Sequence, residues 1–240
     1  MDLPVDHPVV ATPSLSPRAR PRWVTGLALG AAATLLASAA FVVPSLIGAT
    51  LNGNEARVIS RMKKICNAQS QMQASVRCDP DGNGQGRYGF FADLIAMASA
   101  PNVMDPDGLV FESPILPRDH RRVVDGRVHA HGYVYELFLP AIGGGWVSER
   151  DPAAASKIDG KLAEVLWTCY AWPESPGWSG KRVFMINQNG DLLFSQNLDG
   201  RCGGDRSPQP GLSGFVSPQV GSAVAAMCAD CLGEMWFVMG

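Results

Sequence analysis

No catalytic signature is written into this chain. It has no Gly-x-Ser-x-Gly elbow, no His-Glu-x-x-His pair and no phosphate-binding Gly-x-x-x-x-Gly-Lys loop. Its carboxylates are scattered, and Gly143-Gly144-Gly145 lacks the strand-then-helix setting that a phosphate cradle needs. An excess of charge is missing too. The net charge is -2 and the pI about 6.1, which gives no basic face for nucleic acid. These absences predict a protein that is not an enzyme and has no nucleic-acid partner.

Charge is absent altogether from Val24 to Val43, the run VTGLALGAAATLLASAAFVV. As a helix those residues rise about 30 Å, enough to cross the hydrocarbon core of a bilayer. The run continues into Leu46-Ile47. Arg18, Arg20 and Arg22 crowd its near edge, whereas the far side has no charge until Glu55 and Arg57. That bias predicts a single-pass inner (cytoplasmic) membrane protein with a cytoplasmic N-terminus and its main domain in the periplasm or outside the cell. Ala37-Ser38-Ala39 offers the alternative of a cleaved signal peptide. Both place the main domain outside the cytoplasm. The expected divisions are a disordered tail over 1–22, a transmembrane segment over 23–50 and a folded domain over 51–240.

All six cysteines lie beyond the apolar run: Cys66, Cys78, Cys169, Cys202, Cys228 and Cys231. In an exported domain they predict structural disulfides of undetermined pairing, with Cys66 alternatively a free buried thiol. Cys228-Ala-Asp-Cys231 also admits a redox pair, without the strand–helix–strand setting that would support one.

From Leu51 the period changes. Val58, Met62, Ile65, Gln69, Met72 and Val76 recur at spacings of three and four, one face of an α-helix. Asn54 is a candidate helix cap, with Glu55 beside it, and Pro44 a candidate kink. YGFFADLIAM predicts a short buried helix, and residues 101–128 read as loop. A sheet follows. In 131–139 Tyr133, Tyr135, Leu137 and Leu139 share one face, with Val134 and Phe138 on the other. In 164–172 Val165, Trp167, Cys169 and Ala171 share a face, and strands at 182–188 and 191–196 flank an Asn189-Gly190 hairpin. At least three or four antiparallel strands are expected, with a helix from Ser217 to Met227 and a last strand over 234–239.

Several of these stretches together resemble type IV pilin-like and type II secretion pseudopilin-like proteins. The run VPSLIGATLNGNEARVISRMKKICNAQSQMQAS carries the resemblance at Pro44, Leu46, Asn54-Glu55-Ala56, Ile59, Met62, Ile65, Ala68-Gln69 and Met72. Further along, DPDGNGQGRYGFFADL, YVYELFLP, EVLWTCYAWP and GKRVFMINQNGDL are similar to pilin-like envelope proteins, so the likeness covers roughly residues 40–196. It implies an α+β, pilin-like fold: a long N-terminal helix, half membrane-embedded and half amphipathic, packed on an antiparallel β-sheet. It also implies a structural or assembly role in a type II secretion or type IV pilus-related system. The partners would be the lipid bilayer and other pilin-like subunits meeting through the N-terminal helix. The chain departs from the family where processing and assembly want Gly and Glu, since Arg22 and Leu27 stand there. The alternative is a monomeric, membrane-tethered, extracytoplasmic binding domain.

One metal site is a candidate. Asp79, Asp81 and Asn83, followed by Gly84, match the first half of an EF-hand-type calcium loop, but its twelfth position is Phe90 instead of Glu. A Gly/Asp/Asn surface turn is the competing reading. His129-x-His131 would share a strand face, without a Cys or carboxylate at ligand spacing, and reads as a surface pair.

Overall fold

The computed structural model describes residues 22–75, 79, 82–99 and 123–239, with side chains described from residue 48 in the first helix and to residue 96 in the second. The chain divides into residues 1–46 and 47–240. In the first unit the described backbone is the opening part of α1 (Arg22–Ala74). Residues 1–21 of the expected tail, the side chains of the apolar run (that of Pro44 included), Cys78, Asp81 and His120 lie outside the described residues.

In the second unit the α1 residues are good helix formers, Glu, Ala, Arg, Met, Lys and Gln. Val58, Met62, Ile65, Ala68 and Met72 on its stripe are all buried. Gln69 shares that stripe because it answers a backbone. Its amide donates to the Gly89 carbonyl at 2.7 Å and accepts the Gly89 N–H at 3.0 Å. The loop ahead of α2 (Phe91–Ser99) is thereby tied to α1.

Most of the described fold is one antiparallel sheet of nine strands. They are β1 (Val123–Val124), β2 (Arg127–Ala130), β3 (Tyr133–Pro140), β4 (Trp146–Ser148), β5 (Thr168–Pro173), β6 (Val183–Asn187), β7 (Leu192–Ser195), β8 (Cys228–Ala229) and β9 (Met235–Val238). The order is β1-β2-β3-β5-β6-β7-β9-β8, with β4 also on β3.

This corrects the expected fold class. The protein is mostly antiparallel sheet with one substantial helical stretch, 48–74, and that stretch does not match the long membrane-plus-amphipathic helix of a pilin. The physical reason is charge: Glu55, Arg57, Arg61, Lys63 and Lys64 fall within ten residues. Among the described residues no helix is long and apolar enough to cross a membrane.

Both faces of the sheet are buried. Tyr133, Tyr135, Leu137, Leu139, Cys169, Ala171, Phe184 and Ile186 meet α1 and α2. Val134, Phe138, Tyr170, Trp172, Met185, Leu193 and Trp236 form a second core with Phe215 and Ala225. The alternation read from β3 thus separates two cores, not core from water. Even its one charge, Glu136, is buried and receives Arg127 Nε at 2.9 Å across the β2–β3 register.

The second core is covered by irregular chain, 197–227. The helix expected over Ser217–Met227 is absent, since Gly221 and Met227 both take positive φ and the Ser217 and Ser222 hydroxyls bond at 2.9 Å. What holds this cover is the carboxylate of Asp230. Its Oδ2 accepts the Gly214 N–H (2.9 Å) and Trp236 Nε1 (2.7 Å), and its Oδ1 the N–H groups of Leu232 (2.8 Å) and Glu234 (3.0 Å). Asp230→Ala leaves buried donors without an acceptor and is expected to cost roughly 3–5 kcal/mol in a denaturant titration. Asp230→Asn, which keeps one acceptor oxygen, is expected to lose less.

Candidate functional site

The β6–β7 hairpin turns through Asn187-Gln188-Asn189-Gly190. The Gly190 N–H donates to the Asn187 carbonyl at 3.0 Å, and of the Asn-Gly pair Gly190 alone takes positive φ. The loop is therefore wider than the two-residue turn that Asn-Gly signals, which needs both residues there. The Asn187 side chain explains the difference. Its oxygen accepts the N–H groups of Asn189 (3.0 Å) and Asp191 (3.1 Å), replacing ladder bonds, and its amide donates to Asp191 Oδ2 at 3.0 Å.

Beside this hairpin lies a cleft of about 310 Å³. One wall is Gln188, Asn189 and Asp191. The other is Trp146, Phe215 and the 221–224 segment, with Leu166 at the rim. The Trp146 and Phe215 rings stack, centroids 6.0 Å apart at 29°. Trp146 Nε1 is buried without a hydrogen-bond partner among the described residues. Gly211, at positive φ, lets the chain pass close to that indole, since a Cβ there would sit 2.8 Å from Nε1. Across the cleft the half-buried Gln188 makes no side-chain hydrogen bond among the described residues. Asp191 holds its hairpin through Oδ2. The lining thus combines one carboxylate, three amides, a hydroxyl and an aromatic pair, with no Cys, His or Lys.

A smaller cavity of about 110 Å³ adjoins Cys202, Ser195, Asp230 and Glu234. Asn197 clamps the Cys202 backbone, accepting its N–H (3.1 Å) and donating to its carbonyl (2.8 Å). Ser195 Oγ donates to the Glu234 carboxylate. Burial, with Glu234 adding to it, pushes the Cys202 thiol up to about 11, so it stays a protonated thiol at neutral pH.

Of the candidate calcium residues, Asp79 and Asn83 are described, and their side chains bond the turn that carries them. Asp79 Oδ1 accepts the N–H groups of Gly82 (2.7 Å) and Asn83 (3.2 Å), and Oδ2 that of Gly84 (2.8 Å). Asn83 Oδ1 accepts the Gln85 N–H at 2.7 Å, and its amide donates to Glu164 at 3.1 Å. Phe90, at the twelfth position, is buried in the first core. Among the described residues no group of three or more His, Cys, Asp or Glu is placed to hold a metal.

His129 pairs with Glu174 at 2.8 Å, and His131 sits in the β2–β3 turn at positive φ. Cys228 lies on β8, and exposed Cys231 donates its S–H to the Phe215 carbonyl at 3.2 Å. The expected disulfides are not formed among the described residues: Cys66, Cys169, Cys202, Cys228 and Cys231 are unbridged. Sequence reasoning marked Asn189-Gly190 but missed the cleft, whose walls come from segments more than seventy residues apart in sequence.

No protein family, curated protein or solved structure matches this chain.

Cys231 is expected to alkylate well before Cys202 at pH 8, because Cys202 is then almost wholly protonated. Peptide mass spectrometry of a timed iodoacetamide reaction reads the two sites. Labelling of Cys202 should accelerate only as the pH climbs towards 11.

Proposed function

We propose that this chain is a membrane-tethered, extracytoplasmic binding domain whose cleft takes a small neutral, hydroxyl-rich ligand of monosaccharide size. The observation that carries this reading is the lining of the cleft. A carboxylate and amides suit vicinal hydroxyls, while the half-buried Trp146 ring, backed by Phe215, and Leu166 suit the C–H face of a sugar. Its volume lies at the lower end of small-molecule sites.

The tether is supported by the charge-free run Val24–Val43 and the arginines before it. The lining offers binding groups without an activated nucleophile or a paired acid and base, which favours binding over turnover. A structural role in a secretion or pilus assembly rested on the long-helix fold corrected above and gains nothing from the cleft.

Titration of the full-length protein in nanodiscs with glucose, galactose and N-acetylglucosamine tests the cleft. At least one sugar is expected to give saturable heat together with a change in tryptophan emission. Asp191→Ala should weaken binding about tenfold, near 1.4 kcal/mol, for the loss of one charge-assisted hydrogen bond. Gln188→Ala, on a side chain without structural partners, should weaken binding while leaving the melting temperature unchanged. Absence of saturable binding with all three sugars overturns the reading.

A further inference from the structure

Leu166 enters the cleft from beside one wall and reaches the other. It stands two residues before Thr168, whose partner across the β5–β6 ladder is Asn187, so its backbone runs beside the hairpin that forms the first wall. Its Cδ1 lies 3.5 Å from the point that a Cβ on Gly221 would take, so the leucine fills the space next to that glycine in the second wall. The half-buried side chain thus bridges the two walls and closes the cleft at that end.

Both footings of the bridge are firmly bonded. Leu166 N–H donates to the Leu162 carbonyl at 2.9 Å, at the end of the 3-10 turn Leu162–Glu164. Asp159 holds that turn, its Oδ1 accepting the Leu162 N–H at 3.1 Å and its carbonyl that of Ala163 at 2.8 Å. Trp167, next in the chain, is buried in the first core, its ring centroid 6.0 Å from that of Tyr88. On the far side Gly221 takes a φ of +81°, and the Ser222 N–H closes its turn on the Gln219 carbonyl at 3.0 Å. The Val216 N–H donates to the Ala223 carbonyl at 3.0 Å, and the Ser217 N–H to the Ser222 hydroxyl at 3.1 Å. A side chain set between two such segments is an obstacle that the backbone does not move out of the way. An obstacle discriminates by exclusion, since a clash against a longer ligand gives specificity as a contact with the right one does.

We propose that Leu166 sets the length of ligand that the cleft accepts, restricting it to a single sugar unit and excluding a second unit linked towards the Leu166 end. This rests on the reading of the cleft as a sugar site. Shortening Leu166 to alanine removes the isopropyl group that reaches Gly221. It leaves the polar wall of Gln188, Asn189 and Asp191 as it is, so the groups that would hold the first sugar unit remain.

The test titrates the full-length protein in nanodiscs with glucose, galactose and N-acetylglucosamine, and with cellobiose, lactose and diacetylchitobiose. Wild type, Leu166→Ala and Leu166→Val are compared. The quantity read is the ratio of disaccharide to monosaccharide affinity for each pair of sugars. Wild type is expected to favour the monosaccharide by about tenfold or more, the scale on which an apolar pocket rejects a group that does not fit. In Leu166→Ala the ratio is expected to rise about tenfold, and in Leu166→Val by less. A loss of fold stability alone would lower both affinities together and leave the ratio unchanged. A ratio unchanged in both variants, or a wild type that binds disaccharide as tightly as monosaccharide, overturns the proposal while the sugar reading stands. Wild type that binds no monosaccharide overturns the sugar reading and this proposal with it.

Discussion

The Asp230 carboxylate is what the second half of this protein depends on. The sheet between β3 and β7 is buried on both faces, but among the described residues only one face has a helix to cover it. Irregular chain cannot satisfy its own backbone as a helix does, so each buried N–H needs a partner brought to it. Asp230 supplies two oxygens to four donors, three of them backbone groups at Gly214, Leu232 and Glu234. The fourth, Trp236 Nε1, ties the same carboxylate to a core ring on β9. Tyr170, deep in β5, adds a hydroxyl that donates to the Ser213 carbonyl at 2.6 Å. Polar side chains do for this layer what hydrogen-bonded turns do for α1.

The same logic explains the buried charges. Arg127 lies against Glu136 and over the Trp172 ring, 5.0 Å from its centroid. Trp172 in turn donates its indole N–H to the Gly204 carbonyl at 2.8 Å. A buried ion pair stabilises little by itself, because desolvation offsets most of the attraction. Its value here is register. Slipping β2 by one residue against β3 would part the two charges and leave both uncompensated inside a core.

The helix stripe and the strands were legible in the sequence because both rest on period alone. Val58, Met62, Ile65 and Met72 fall every three or four residues, and Tyr133, Tyr135, Leu137 and Leu139 every two, and each set is buried as one face. Period does not say how many faces are covered. Val134 and Phe138 look the same in the sequence whether they meet a second layer or water. Nor does a polar residue announce its partner. Asn54 and Glu55 read as a helix start, yet they grip a loop more than 120 residues away. Asp79 and Asn83 read as candidate cation ligands, and the sequence does not show that their side chains also bond their own turn. Asn187 was invisible because it alters the hairpin through a side chain that competes with the ladder.

These internal uses also show where function has room. Asp230, Glu55, Gln69 and Asn187 are committed to backbone groups, and altering any of them would alter the fold before any ligand. The cleft beside β6 and β7 differs in kind. It borrows Asn187 and one oxygen of Asp191 for shape, while among the described residues the Gln188 side chain and the Trp146 Nε1 have no partner. An unsatisfied buried polar group such as Trp146 Nε1 costs stability. Among the described residues the buried atoms without a hydrogen-bond partner are spread over Gln71, Arg127, Tyr135 and Trp146; Trp146 is the one that lines this concave place, and a ligand there would meet its indole N–H.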